Sequence, residues 1–340
     1  MRLRRSTPYG PGIRRVTRGR GFSYLTTDGE QVSDEDLLER INGLVIPPAW
    51  RKVWICPHAN GHIQAVGVDA AGRRQYLYHE QWRRERDEEK FDRVLDLAGR
   101  LPPLRDRLTA DVRRSGLHRH RVEAVAIGLI DLGVFRVGGE EYAEENGTRG
   151  VATLLREQVR VEGEQMLFDY VAKGGLRRRV RIHDADLTRA VASLRRSRAD
   201  SPRLLVYRDK NGYRELHADD INARFKALTE TDCTVKDLRT WQATVLAAEG
   251  FAHAEPPTSE RARKRAERAV IAEVAAALGN TPAVARASYI DPRVGESYAD
   301  GVTISRALDR AARVGTDSER RAIVERAVLR LLRRAAHRES

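Results

Sequence analysis

The spacing of apolar and polar residues changes character near residue 85 of this 340-residue chain. Before that point, short apolar segments such as 63–68 and 74–78 alternate with turn residues, which is typical of antiparallel strands joined by tight turns. Beyond it, apolar residues recur at every third or fourth position over long segments, which predicts helices. The pattern therefore predicts a small β-rich domain over residues 1–85 and a mainly helical domain over residues 86–340.

The first domain is predicted to be a small, mostly antiparallel sheet. Its strands fall at 21–25, 53–56, 63–69 and 74–78, and Gly72 supplies the turn between the last two. A short helix follows Ser33, which we interpret as its N-cap. Residues 1–20 contain seven arginines and no acidic residue, and we interpret them as a flexible basic arm.

The second domain is predicted to combine long helices with a few strands, so that the chain as a whole belongs to the α+β class. A first helix ends at Pro102-Pro103 and resumes afterwards, and a second, buried helix covers 121–135. Strands are predicted at 153–155, 158–161, 166–171 and 177–182; the expected fold includes a three-stranded sheet, and a Gly174-Gly175 turn closes its final hairpin. The remaining predicted helices lie at 224–228, 236–249, 258–278 and 318–336.

One short segment, residues 278–289, contains clear signals for the end of one helix and the start of another. Gly279 can end the alanine-rich helix before it, because glycine adopts positive φ without strain. Thr281 and Pro282 are suited to the N-cap and first position of a new helix, and that helix ends on Tyr289. The pattern therefore predicts a phenol held at the end of a short helix, in a chain rich in arginine.

The charge of the chain indicates a polyanionic partner. There are 62 basic and 49 acidic residues, which gives a net charge of +13 and an isoelectric point of about 10.1. Nucleic acid is the first expected partner and an anionic membrane surface the second. No apolar segment is long enough to span a bilayer, and two cysteines provide neither a disulfide framework nor a zinc-binding pair. We therefore expect a cytoplasmic protein associated with the nucleoid.

Several motifs occur in an order that resembles one known family. Residues 236–241 read Lys-Asp-Leu-Arg-Thr-Trp and residues 279–282 read Gly-Asn-Thr-Pro, with Tyr289 seven positions further on. Residues 72–78, 136–138 and 145–150 supply three further matching segments. Together they resemble the type IB DNA topoisomerases, in the compact poxvirus-like bacterial branch, over roughly residues 20–295.

The resemblance implies a chemistry and assigns a role to each matching residue. Tyr289 would attack a DNA phosphodiester and form a 3′-phosphotyrosyl bond, Arg136 and Arg239 would bind the phosphate oxygens, and Lys173 would protonate the leaving 5′-oxygen. The enzyme would relax supercoils of either sign without ATP, metal or another cofactor, as a monomer that clamps duplex DNA between its two domains. The candidate DNA-contacting residues are Arg73, Arg74, Tyr76, Tyr78, Tyr142 and Lys236.

Two positions depart from the pattern of the family. Asn280 stands where many relatives have histidine; a carboxamide still donates a neutral hydrogen bond to a phosphate oxygen, so we expect a slower reaction of the same kind. The positions where the poxvirus branch has a base-reading lysine hold Gly138, Gly139 and Glu140. The resemblance therefore does not assign a cleavage sequence to this chain.

Two alternatives remain open from the sequence. A tyrosine recombinase uses the same covalent chemistry, but it usually has a histidine where this chain has Lys236, and its N-terminal domain is usually helical. A basic DNA-binding protein without activity is the other alternative, against which stands the presence of every charged and nucleophilic position.

Overall fold

The computed structural model describes residues 2–19, 21–133, 135–140, 143 and 147–339, with side chains described as far as residue 336. It divides into two compact units, Met1–Lys90 and Phe91–Ser340. The division falls within a long helix, a few residues beyond the predicted boundary. That the two units act as a DNA-clamp domain and a catalytic domain stays a prediction.

The first unit is built around a five-stranded antiparallel sheet with the order β2-β1-β3-β4-β5. Ile13, Ile41, Val53 and Ile55 are buried together between the sheet and helix α1, because alternate residues of each strand face the same side. Gly72 has a φ of +78° in the β4–β5 turn, as the turn requires. Its elements are β1 (Ile13–Arg18), β2 (Gly21–Leu25), α1 (Glu35–Gly43), β3 (Arg51–Ile55), β4 (Ile63–Val68) and β5 (Arg74–Tyr78).

The prediction of a flexible arm over residues 1–20 was wrong. Ile13–Arg18 forms β1 in the middle of the sheet, and Ser6 donates to the carbonyl of Ile63 over 3.0 Å. The guanidinium of Arg15 donates to three backbone carbonyls, one of them that of Trp50 over 2.7 Å. The burial of Ile13 holds this segment in the sheet. Arg15 stabilises the fold, because its charged guanidinium donates hydrogen bonds to backbone carbonyls.

The predicted N-cap of the first helix was one residue early. Asp34, not Ser33, is the N-cap of α1, and its carboxylate accepts from the backbone N–H of Leu37 over 2.9 Å. A carboxylate is favoured at this position because it also interacts with the positive end of the helix dipole.

The second unit is mainly helical and contains a three-stranded antiparallel sheet with the order β6-β7-β8. This arrangement, together with the five-stranded sheet, confirms the predicted α+β class. A separate hairpin is formed by β9 and β10. The elements from α2 onwards are α2 (Glu80–Arg113), α3 (Arg119–Gly133), β6 (Val159–Glu162), β7 (Gln165–Ala172), β8 (Leu176–His183), α4 (Ala185–Arg195), β9 (Val206–Asp209), β10 (Gly212–Glu215), α5 (Ala218–Thr229), α6 (Val235–His253), α7 (Glu260–Leu278), α8 (Pro282–Ser288), α9 (Pro292–Ala299), α10 (Ser305–Ala311) and α11 (Asp317–Glu339).

The predicted break at Pro102-Pro103 was wrong, because α2 continues through both prolines. A proline inside a helix costs about 3 kcal/mol through a lost hydrogen bond and a steric clash. Leu101 and Leu104 flank the pair and are buried with Leu97 and Leu108 on one face of the helix. The burial of that face offsets the cost of the prolines, so tertiary packing overrides the local signal.

Three further differences concern strands and short helices. The predicted strand 153–155 is a 3-10 turn over Val151–Thr153, followed by a single bridge at Leu155. The short helix predicted over 224–228 extends to the whole of α5. No prediction covered α4, the β9–β10 hairpin, α9 or α10, which are all short elements. Among the described residues, no helix combines the length and apolarity needed to cross a bilayer.

A buried charge network attaches the final helix to the rest of the second unit. Asp131, at the end of α3, accepts hydrogen bonds from Arg105 over 2.8 Å and from Arg321 over 2.6 Å. Glu325 lies one turn after Arg321 on α11 and accepts hydrogen bonds from both Arg105 and Arg321. Although burial alone would raise the pKa of Asp131, the two guanidinium groups lower it to about 2. The network therefore holds α11 in place with alternating charges.

We expect the variant Asp131→Asn to lower the free energy of unfolding by about 3 kcal/mol, because it leaves two buried arginines with one carboxylate fewer. Because the folded pKa lies below the ordinary value of about 3.9, the stabilisation by this carboxylate is complete above pH 4 and is lost as the pH falls towards 2. Urea denaturation followed by circular dichroism measures both effects.

The matched control is Asp317→Asn, which removes an exposed ion pair with Arg320 on the same helix. It should change the free energy of unfolding by less than about 1 kcal/mol. Equal effects of the two substitutions would contradict the role assigned to the buried network.

Candidate active site

The site is organised around the C-terminal end of α7, where three backbone carbonyls are left without helical partners. Gly279 has a φ of +64° and donates to the carbonyl of Ala276 over 3.1 Å, and the N–H of Asn280 reaches back to Ala275 over 2.9 Å. This pair of bonds is a Schellman motif, which ends the helix and satisfies two of its last carbonyls. The carbonyls of residues 277–279 remain available to other donors.

Three arginines from three different elements donate to these carbonyls. Arg178, on β8, donates to Ala277 over 2.7 Å, and Arg239, on α6, donates to Leu278 over 3.1 Å. Arg136, which follows α3, donates to the carbonyl of Gly279 over 3.3 Å and also to the side chain of Asn280. The negative end of a helix dipole favours cations at this position. The helix end therefore gathers three positive charges that would otherwise repel one another.

Burial and the mutual repulsion of these charges lower the pKa values of two of the arginines. Burial, followed by the charge of Arg136, lowers the pKa of Arg239 to about 10, although its contact with Tyr289 acts in the opposite direction. Burial and Arg136 also lower the pKa of Arg178. Both groups still carry their charge at neutral pH. A phosphate placed here would relieve the repulsion, so the cluster is suited to bind an anion.

Tyr289 lies within this cluster, at the end of the short helix α8. Thr281 caps the start of α8 and Pro282 is its first residue, as the sequence predicts. The guanidinium carbon of Arg239 lies 5.6 Å from the centre of the phenol ring. Only 7% of Tyr289 is exposed. The phenol is therefore held directly beside a buried, charged guanidinium.

Helix α6 also fixes the backbone that follows the phenol. The hydroxyl of Thr244 accepts a hydrogen bond from the N–H of Asp291 over 3.2 Å and lies 3.0 Å from the carbonyl of Thr240, one turn back on α6. Asp291 then caps α9 and forms an ion pair with Arg293. One helix thus sets the position of both Arg239 and the segment that carries Tyr289.

The orientation of the Asn280 amide follows from its neighbour. A guanidinium can only donate, so the atom of Asn280 that faces Arg136 must be the carbonyl oxygen. The amide nitrogen is buried and has no hydrogen-bond partner among the described residues. A buried unsatisfied donor costs free energy, and a phosphate oxygen would satisfy it. Asn280 therefore keeps an unused amide donor next to the cluster.

A close contact between two glycines positions Arg136. Gly138 has a φ of +84°, and a Cβ built on Gly150 would lie 2.5 Å from its Cα. The approach allows the N–H of Val151 to bond the carbonyl of Arg136 over 2.9 Å. The two matching motifs at 136–138 and 145–150 thus lie against each other at Gly138 and Gly150, and glycine is required because any side chain would separate them.

Sequence reasoning missed two residues of the site, Arg178 and Tyr170. They are opposite each other in the register of β7 and β8, and Tyr170 stacks on Phe135 with ring centres 5.7 Å apart. Burial raises the pKa of Tyr170, and the positive charges of Arg178, Arg239 and Arg136 oppose that shift. Arg178 lies in a run of three arginines, and the alternation of strand residues could have separated it from its two exposed neighbours.

Lys173 lies in the exposed turn between β7 and β8. It follows Tyr170 by three residues, so the hairpin that carries it also carries two members of the cluster. The structure thus brings together Tyr289, Arg239, Arg136 and Asn280. It places Lys173 at the tip of the hairpin that carries Tyr170 and Arg178. Its part in the chemistry stays a prediction.

The predicted DNA-contacting residues lie on two elements. Tyr76 and Tyr78 share one face of β5, as predicted, and their exposed rings stack with centres 6.0 Å apart. Arg74 is held near them, since contact with Tyr76 raises its pKa, whereas Arg73 pairs with Asp69 over 2.9 Å.

The other two predicted contacts belong to the second domain. Lys236 is exposed in the first turn of α6, three residues before the buried Arg239. Tyr142 lies outside the described residues.

Comparison with known proteins identifies the family. Residues 79–313, more than half of the chain, match the model of the catalytic core of eukaryotic DNA topoisomerase I. The chain belongs to the type IB DNA topoisomerases. Residues 21–69 match the N-terminal domain of bacterial DNA topoisomerase IB, which places this topoisomerase in the bacterial branch.

Viral relatives extend the similarity over most of the chain. The DNA topoisomerase 1B of Acanthamoeba polyphaga mimivirus is 28% identical over 286 residues, which cover 82% of this chain and 85% of the relative. The DNA topoisomerase 1B of Vaccinia virus (strain Copenhagen) is 22% identical over 241 residues, 69% of this chain and 72% of the relative. The chain is therefore an isomerase that acts on DNA, and both the recombinase and the inactive DNA-binding protein are set aside.

The orientation of Asn280 generates a graded prediction for this topoisomerase. Asn280→Ala should slow formation of the covalent complex with DNA by about tenfold, because one neutral hydrogen bond is lost. Asn280→Asp should be slower still, since it replaces a donor with a negative charge beside the phosphate, whereas Asn280→His should match or exceed the wild type. Single-turnover trapping on a suicide substrate measures the rates. An Asp variant as fast as wild type would contradict the orientation.

Arg178 should contribute to the same step. Arg178→Ala is expected to slow covalent-complex formation by between about tenfold and a hundredfold, because it removes one of the three guanidinium groups gathered at the end of α7. Arg181→Ala is the matched control: it lies on the same strand but on the opposite face, is exposed, and removes the same charge. Similar losses for the two variants would show that only net charge matters.

Proposed function

We propose that this topoisomerase relaxes both positive and negative supercoils by cutting one DNA strand through Tyr289, without ATP or metal. The phenol oxygen attacks the phosphorus, a bond forms between them, and the bond from phosphorus to the 5′-oxygen breaks. The product is a 3′-phosphotyrosyl bond and a free 5′-hydroxyl. Because the energy of the broken phosphodiester is kept in the new bond, the reverse reaction reseals the strand without another energy source.

The observation that carries the proposal is the contact between Tyr289 and Arg239. The guanidinium carbon of Arg239 lies 5.6 Å from the centre of the phenol ring, so a permanent positive charge stands beside the proposed nucleophile. The same cation would then face the phosphate that the phenol attacks. Few arrangements other than phosphoryl transfer require a tyrosine inside a cluster of three arginines.

The remaining members of the cluster are assigned to the phosphate oxygens. Attack builds negative charge on the two non-bridging oxygens, and prearranged donors are most effective where that charge develops. Arg136, Arg239 and Asn280 supply such donors, and Arg178 adds a fourth. All are fixed by the end of α7 before DNA binds, so little reorganisation is needed during the reaction.

The leaving 5′-oxygen needs a proton, and Lys173 is the proposed donor. Its place at a hairpin tip allows the side chain to approach the scissile bond once DNA is bound. During resealing the lysine would take the proton back from the 5′-hydroxyl. Between the two steps the cut strand is free to rotate about the intact one, which removes supercoils of either sign.

Duplex DNA is proposed to lie between the two units, held by a monomer. The net charge of +13 favours this, as do the exposed tyrosine pair of β5 and Lys236. Contacts of this kind are mostly to phosphates, so binding should weaken steeply with salt.

Relaxation of supercoiled plasmid in EDTA and without ATP tests the proposal. The wild type should remove supercoils of both signs, and Tyr289→Phe should lose at least about a thousandfold in rate, because its ring remains but the nucleophile is absent. The matched control is Tyr213→Phe, which removes an exposed hydroxyl from β10 and should leave the rate unchanged.

Two outcomes would contradict the proposal. Activity of Tyr289→Phe at the wild-type rate would remove Tyr289 from its role. A wild type that relaxes plasmid only after addition of a divalent metal or ATP would require a different mechanism.

A further inference from the structure

A groove of about 760 Å³ lies among α9, α10 and α11, and shares no lining residue with the arginine cluster around Tyr289. Its two long walls come from α10 and α11, which pack against each other. The catalytic-core match ends at residue 313, so α11, which begins at Asp317, lies beyond the part of the chain shared with that model. The groove is thus partly built from an element outside the matched core.

Four exposed arginines line the two walls. Arg306 and Arg310 lie one turn apart on α10, and Arg330 and Arg334 lie one turn apart on α11. Among the described residues none of the four forms an ion pair, whereas many arginines elsewhere on the surface are paired with a neighbouring carboxylate. Two acidic residues also line the groove, Glu296 and Asp300, and each has an interaction of its own.

The floor between the arginines is aliphatic. Ile304 and Ala307 are buried at its base, Leu331 and Ala327 are partly buried beside them, and Val302 is 42% exposed at the edge. Among the described residues the lining contains no aromatic side chain, and Ser297, Thr303 and Ser305 contribute hydroxyl groups to it. Cationic walls over an aliphatic floor match a ligand that has both carboxylates and aliphatic side chains.

Helix α11 is held so that this surface is fixed. A neighbouring face of this helix carries Arg321 and Glu325, which belong to the buried network with Asp131, and Val328, which is fully buried. The groove-lining residues follow on the adjacent face of the same helix. The walls are therefore set before any ligand binds, which lowers the entropic cost of binding.

We propose that this groove binds an acidic, leucine-rich helical segment of a partner protein. The aliphatic side chains of such a segment would cover the floor, and its carboxylates would pair with the guanidinium groups of both walls. Duplex DNA presents phosphates but no aliphatic surface apart from thymine methyls, and single-stranded nucleic acid usually requires aromatic side chains for base stacking. The composition of the groove thus favours a protein ligand over nucleic acid.

The probe that tests the proposal is a fluorescent peptide of about 16 residues, long enough to form several helical turns. It contains glutamates and leucines at helical spacing, and fluorescence anisotropy measures its binding to the full chain at physiological salt. Arg306→Ala/Arg330→Ala, which removes one arginine from each wall, should weaken binding by about tenfold or more, because two charge-assisted hydrogen bonds are lost. Arg310→Ala/Arg334→Ala should behave in the same way.

Three controls accompany the measurement. Arg261→Ala/Arg265→Ala removes the same charge from α7, which lines no part of the groove, and should change peptide affinity by less than about twofold. A glutamate–serine peptide of equal charge should bind more weakly than the glutamate–leucine peptide. Affinity for a short DNA duplex and the relaxation rate should be unchanged in both groove variants.

Two results would overturn the proposal. One is equal affinity of the wild type and both groove variants for the peptide. The other is a loss of duplex affinity that parallels the loss of peptide affinity, since it would make the groove a surface for nucleic acid.

Discussion

The structure of the active site depends on the interaction between one helix end and three arginines. The last carbonyls of α7 are left unsatisfied by its Schellman ending, and Arg136, Arg178 and Arg239 occupy them from three separate elements. Without these acceptors, three guanidinium groups held near each other, one of them fully buried, would be strongly unfavourable. With them, the positive charge is held in one place and remains available to a phosphate.

The same helix end connects the charge to the nucleophile. Gly279 ends α7 in the left-handed conformation, and the chain turns directly through Asn280 into α8, which ends at Tyr289. Helix α6 contributes from the other side, because it carries both Arg239 and the threonine that fixes the backbone after the phenol. The site is therefore rigid because each of its members is also part of a helix end, a strand register or a backbone contact.

Local sequence rules predicted where the helices of the site end and begin, but they did not predict all of the residues in the site. The ends of α7 and α8 are set by the backbone and capping preferences of Gly279, Thr281 and Pro282, so the sequence alone could predict their roles. Arg178 was missed because its role depends on β7–β8 register and on a helix end 99 residues away. Tertiary packing likewise carries α2 through Pro102, and the five-stranded sheet incorporates a segment whose charge alone suggested a free arm.

The most direct test of this account is to identify the amino acid that becomes joined to DNA. Wild-type protein would be trapped on a suicide substrate, digested with nuclease and protease, and analysed by mass spectrometry. The account predicts a single nucleotide adduct, on Tyr289, attached through a 3′-phosphate. An adduct on another tyrosine, including the buried Tyr170 beside the same arginines, or attachment through a 5′-phosphate would contradict it, because the account assigns the nucleophile to Tyr289 and the proposed chemistry leaves a free 5′-hydroxyl.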